Sequence, residues 1–168
     1  MRFSQKLYID GKQRIFHMAD IVYNAFLEED EGEVWYTAIA EPGCERGSAC
    51  IAAQGDTFEE LRRDILQSIR DTMQLSENHE DIGIPKNPSV AVRFTEELYP
   101  GTAGEVQIVA ERNCTKYQTR PNGVLGESYF HENVEGLRAL VKDAVQNANP
   151  NGKKVMLVLE EVLQDSSN

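Results

Sequence analysis

The chain is 168 residues long and carries 28 acidic against 17 basic residues, a formal charge of −11. A surface of that sign repels phosphate backbones, which argues against direct nucleic-acid binding and in favour of a cationic protein partner. No run of about 18 apolar residues occurs and Met1 to Asp10 holds no signal-peptide core, so neither a membrane span nor export is expected. Cys44, Cys50 and Cys114 are odd in number and form no C-x-x-C pair, which fits a reducing cytoplasm.

In chain order, Lys6-Leu7-Tyr8-Ile9 and Arg14-Ile15-Phe16 flank Asp10-Gly11, a pair suited to the tight turn of a hairpin. Residues 1–18 therefore read as an N-terminal arm. Ile21 to Leu27 and Val34 to Ala40 are β-rich runs separated by the polar turn Glu28-Glu29-Asp30-Glu31-Gly32-Glu33, which predicts a second hairpin. Glu41-Pro42-Gly43 ends it, because proline lacks a donor. A short strand around Cys50 to Ala53 precedes a helix opening at Asp56-Thr57, where Glu60 completes a capping box with Thr57. Phe58, Leu61, Ile65 and Ile69 recur at steps of 3, 4 and 4, so this helix buries one stripe and leaves Arg62, Arg63, Asp64 and Arg70 to solvent. The polar, proline-containing stretch from Glu77 to Pro88 leads back to a strand at Val90 to Phe94.

After Pro100-Gly101-Thr102-Ala103-Gly104 the scheme repeats. Strands are expected at Val106 to Ala110, Thr115 to Arg120 and Ser128 to Phe130. A helix from Asn133 follows, with Val134, Leu137, Val141 and Val145 at the same 3, 4, 4 spacing, then a last strand from Val155. Thr57 to Ile69 aligns without a gap on Asn133 to Val145, keeping one Glu, one Leu and one Arg, and Val90 to Leu98 aligns on Val155 to Leu163. Two elements repeated in one order imply a unit used twice. The expected fold is α+β: two tandem β-β-β-α-β units, residues 19–100 and 104–164, each a small sheet with one helix on one face, joined as a monomeric pseudo-dimer or associating as a homodimer.

Trp35-Tyr36 in the second strand, Pro42-Gly43-Cys44 at its end, and Gly55-Asp56-Thr57 opening the helix resemble the HicB family of bacterial antitoxins. The resemblance spans roughly residues 20–99 and, more faintly, 104–164. It implies a truncated ribonuclease-H-like fold that binds and inhibits a small basic protein such as a HicA-like ribonuclease toxin. Here Glu45 to Gln54 intervene between the two motifs, where the family has only a few residues. The chain closes on Gln164 to Asn168, so an autonomous DNA-binding segment is not expected.

A metal-dependent hydrolase on such a fold needs several carboxylates on neighbouring strands to hold two cations. Ile21 to Leu27 contains none, and the carboxylates of 28–33 sit in a solvated turn. His17, His79 and His131 are scattered without metal-ligand spacing, and Cys44 reads as a turn residue rather than a nucleophile. No catalytic residue, metal or cofactor is assigned, and the expected function is non-enzymatic binding.

The acidity is uneven: residues 1–100 hold 10 Lys/Arg and 19 Asp/Glu, the remainder 7 and 9. The candidate partner-binding residues are accordingly Glu28, Glu29, Asp30, Glu31 and Glu33 for steering, with Trp35 or Tyr36, whichever faces solvent, as an aromatic anchor. The alternatives are a HicB-like structural or regulatory protein without a toxin, or a hydrolase.

Overall fold

The computed structural model describes residues 6–9, 12–15, 19–40, 52–75, 86–148 and 150–163. In the arm, β1 (Lys6–Ile9) and β2 (Lys12–Ile15) pair antiparallel with one another; the expected turn, Asp10-Gly11, lies outside the described residues. Then come β3 (Ile21–Asp30), β4 (Glu33–Ala40), β5 (Ala52–Gly55), α1 (Phe58–Leu75) and β6 (Val90–Tyr99). The rest of the chain supplies β7 (Glu105–Asn113), β8 (Lys116–Thr119), β9 (Phe130–His131), α2 (Val134–Ala148) and β10 (Lys154–Leu163).

The expectation of two separate small sheets is overturned. A single eight-stranded mixed sheet runs β5-β4-β3-β6-β10-β7-β8-β9. Its seam is the antiparallel pairing of β6 with β10, from Val155↔Tyr99 to Leu163↔Val90, with a bulge between Val155 and Met156. In two isolated sheets β6 and β10 would be long edges with unpaired backbone groups, and joining them satisfies both ladders at once. Within each half the last strand lies parallel to the first, β6 to β3 and β10 to β7. A parallel neighbour requires a crossover, and α1 and α2 supply it.

Both helices lie on one face. On α1 the buried residues are Phe58, Leu61, Ile65 and Ile69; on α2 they are Val134, Leu137, Val141 and Val145. These are the stripes that the 3.6-residue period dictates, each large side chain contributing about 1.5–3 kcal/mol on full burial. They pack on Tyr36, Phe94, Leu98, Tyr117, Leu157 and Leu159 to form one continuous core under both helices. Phe58 joins the halves: its ring lies edge-on to Tyr36 at 5.6 Å, Phe94 at 6.0 Å and Tyr117 at 6.2 Å.

The helix starts follow local chemistry. Thr57 Oγ1 accepts from the Glu60 amide at 3.2 Å, and Glu60 Oε2 accepts from the amides of Asp56 and Thr57 at 3.0 and 3.1 Å, a complete capping box. Gly55 ends β5 so close to α1 that a Cβ there would collide with the Leu61 amide, which restricts the position to glycine. At α2 the Asn133 side chain accepts from the Gly136 amide at 2.7 Å. A carboxylate from α2, Glu135, accepts from the Phe58 amide at 2.6 Å and so caps the other helix.

Candidate functional site

The β3–β4 hairpin turns on two residues, Glu31 and Gly32, at φ of 50° and 87°. Positive φ at both central positions is the geometry that matches strand twist, so the turn is a firm corner rather than a loose loop. It holds Glu29, Asp30, Glu31 and Glu33 exposed together. Glu28 is set apart: its Oε2 accepts from Trp35 Nε1 at 3.1 Å and from Thr37 Oγ1 at 2.6 Å, on the sheet face away from the helices. Trp35 is half-buried with its indole nitrogen so engaged, and Val34 beside it is 47% exposed. Tyr36 points the other way into the core, where no partner can reach it.

A groove of about 840 Å³ follows Trp35 along the β5 edge and α1, lined also by Gly55, Asp56, Glu60, Asp64 and Arg70. Asp64 reaches back to accept from the Gln54 amide at 2.9 Å, capping one donor of the edge strand. Of the motif residues, Gly55, Asp56 and Thr57 thus form the β5–α1 junction, whereas Pro42, Gly43 and Cys44 lie outside the described residues. His17 and His79 do as well; His131 accepts from the Asn133 amide at 3.2 Å.

The expectation that Arg62 faces solvent fails, and its place in the fold is the feature that sequence reasoning missed. Arg62 on α1 crosses to the second half, donating from Nη2 to Glu161 on β10 at 2.9 Å and from Nη1 to Glu59 at 2.6 Å. Glu161, its side chain 5% exposed, also accepts from Arg112 Nη1 at 2.9 Å and from the Tyr117 hydroxyl at 3.1 Å. The mirror arrangement joins α2 to the first half. Arg138 donates from Nε and Nη2 to both oxygens of Glu96 on β6, at 2.6 and 2.8 Å, and from Nη1 to the Tyr36 hydroxyl at 3.2 Å. Arg62 and Arg138 occupy one position of the repeated helix, and Glu96 and Glu161 one position of the repeated strand. That recurrence of charged residues inside apolar repeats was the available signal.

Burial drives both tyrosine hydroxyls well above their ordinary pKa. At Tyr36 the arginine contact opposes the shift and Glu135 adds to it; at Tyr117 Glu161 adds to it while Arg62 and Arg112 oppose. Burial works against the charge of Arg138, yet its bonds to Glu96 and Tyr36 hold its pKa above the ordinary value. Charge-assisted pairs of this kind fix geometry. A polar cavity of about 640 Å³ adjoins the second network, lined by Arg62, Glu111, Arg112, Cys114, Glu160 and Glu161, with Glu161 itself filling the space between the two arginines.

Among the described residues no group of three His, Cys, Asp or Glu side chains converges to hold a metal ion. No helix among them is long and apolar enough to cross a membrane. Comparison with family models, with curated proteins and with solved structures returned no match.

Proposed function

We propose that the chain is a non-enzymatic protein-binding module whose ligand is a small basic protein, attracted to the acidic β3–β4 corner. The observation that carries this reading is the set of four exposed carboxylates, Glu29, Asp30, Glu31 and Glu33, on a firm two-residue turn with exposed Val34 alongside. Fixed like charges at a corner raise the encounter rate of an oppositely charged partner, and nearby apolar surface slows its departure. The net charge of −11 and the motif resemblance to HicB antitoxins favour the same reading, with a HicA-like toxin as one such partner.

The test compares the wild-type chain with a variant carrying Glu29→Gln, Asp30→Asn, Glu31→Gln and Glu33→Gln as bait in extracts of the source cells. Retention of a small basic protein by the wild type, reduced about tenfold in the variant and falling with added salt, is the expected result. Recovery of no basic protein, or retention indifferent to both variant and salt, removes the proposal.

A further inference from the structure

The charge of the chain is divided between two parts of opposite sign. Residues 1–18 hold 4 Lys/Arg against 1 Asp, a charge of +3, and the remaining residues hold 13 basic against 27 acidic, a charge of −14. Three of those cations, Lys6, Lys12 and Arg14, stand on β1 and β2, which hold no acidic residue. The hairpin register sets Leu7 opposite Arg14 and Ile9 opposite Lys12, so one face carries two cations beside two aliphatic residues. β1 and β2 pair with each other and with no strand of the eight-stranded sheet. A two-stranded hairpin on its own is at best marginally stable in water, so the arm needs a surface to rest on.

Its own acidic corner is out of reach. The arm joins β3 at Ile21 and the corner closes the other end of that strand at Asp30, about 30 Å away at ~3.3 Å per residue. From Ile15 to Ile21 the chain extends at most about 20 Å, and the four-residue hairpin adds about 10 Å. Stretched straight, the arm brings only its tip to that corner and never lays its cationic face there. Nearer to Ile21 the carboxylates are already engaged: Asp20 accepts from the amide and the hydroxyl of Ser89 at 2.9 and 3.0 Å, and Glu160 accepts from Arg93 Nε at 2.7 Å. Glu29, Asp30, Glu31 and Glu33, by contrast, are exposed and meet no cation among the described residues.

We propose that the arm of one copy docks on the acidic corner of a second copy, Lys12 and Arg14 meeting the four carboxylates and Leu7 and Ile9 meeting exposed Val34. The inference uses the corner described above but requires no foreign partner. Arm and corner stand at opposite ends of one strand, so two copies related by a two-fold axis, their β3 strands antiparallel, make both contacts at once. The second contact forms within a pair already joined, which strengthens the whole without any new surface. The like charges of the two bodies work against association, but beyond about 8–10 Å they are screened at physiological salt, whereas arm and corner meet in direct contact.

The test is sedimentation equilibrium of the full chain across about 5–500 μM. The expected result is a mass that climbs with concentration from one chain toward two, with a dissociation constant raised at least tenfold between about 50 and 500 mM salt. Lys12→Gln with Arg14→Gln, and separately the neutralised corner, should each weaken the dimer at least tenfold. Neither change touches the buried core, so both variants should fold. Lys142→Gln with Lys153→Gln alters net charge as much as the arm variant does, at exposed positions away from the arm and the corner, and should leave the dimer within about twofold of wild type. A chain that stays monomeric throughout overturns the proposal, as does a dimer indifferent to the arm and corner variants or one weakened equally by the Lys142 and Lys153 control. The bait experiment judges the foreign partner separately, and its failure leaves a dimer that behaves as expected here standing.

Discussion

The two arginine networks that tie the halves together are built from equivalent residues and are not equally robust. Arg138 meets Glu96 through both carboxylate oxygens and completes itself on Tyr36; its guanidinium lies over the rings of Tyr36 and Phe94 at 5.6 and 5.9 Å. Arg62 divides its donors between Glu59 and Glu161, and its Nε finds no partner among the described residues. Glu161 has a second cation, Arg112, which lies over Tyr117 at 5.8 Å. Arg112 pairs across its hairpin with Tyr117 as Leu27 pairs with Tyr36, so the first half has leucine where the second has this extra arginine. One network depends on a single well-made fork, the other on redundancy.

The widest separation between them should come from deleting each helix arginine. Arg138→Ala leaves Glu96, its side chain 11% exposed, without a cation, and should destabilise the chain by about 3–5 kcal/mol. Arg62→Ala leaves Glu161 with Arg112 and Tyr117 and should cost about 1–2 kcal/mol. Urea unfolding of both variants measures the gap, and equal losses would deny the redundancy.

A smaller effect should follow from removing the first network entirely. Arg138→Met with Glu96→Leu should recover to within about 1–2 kcal/mol of wild type, because a buried pair is costly mainly when one partner is left alone. A double variant no more stable than Arg138→Ala would show that the fork contributes more than its charges.

The smallest expected effect is on pH. Tyr36 and Tyr117 have pKa values raised above the ordinary 10.0, so the folded chain keeps protons that the unfolded chain releases. Their contribution is whole below pH 10 and is lost as pH climbs above it, by at most about 1.4 kcal/mol per pH unit for each tyrosine. Urea midpoints at pH 9 and 11 should differ in that direction, and Tyr36→Phe with Tyr117→Phe should narrow the difference.

Much of this arrangement was legible in the sequence, for reasons particular to each element. Phe58, Leu61, Ile65 and Ile69 announced α1 because a helix on a sheet needs a stripe at that period, and Thr57 with Glu60 announced its start. The β3–β4 corner was readable from Gly32 among its acids. The seam was not readable, because Val90 to Leu98 and Val155 to Leu163 alternate equally well as strands of separate sheets or as neighbours in one. Strand pairing is a long-range choice that local pattern leaves open. Arg62 misled for a related reason. It lies next to Leu61, at the border of the buried stripe, and its partner Glu161 is almost a hundred positions away and belongs to the other half.

The corner at Glu31-Gly32 has a counterpart across the seam, the Cys114-Thr115 turn, with Cys114 at φ of 54° between Asn113 and Lys116. Acidic residues crowd the first turn and none stands at the second. Two identical subunits assembled from such halves would present the acidic end twice. A single fused chain presents it once, which gives an otherwise near-symmetric sheet a head and a tail.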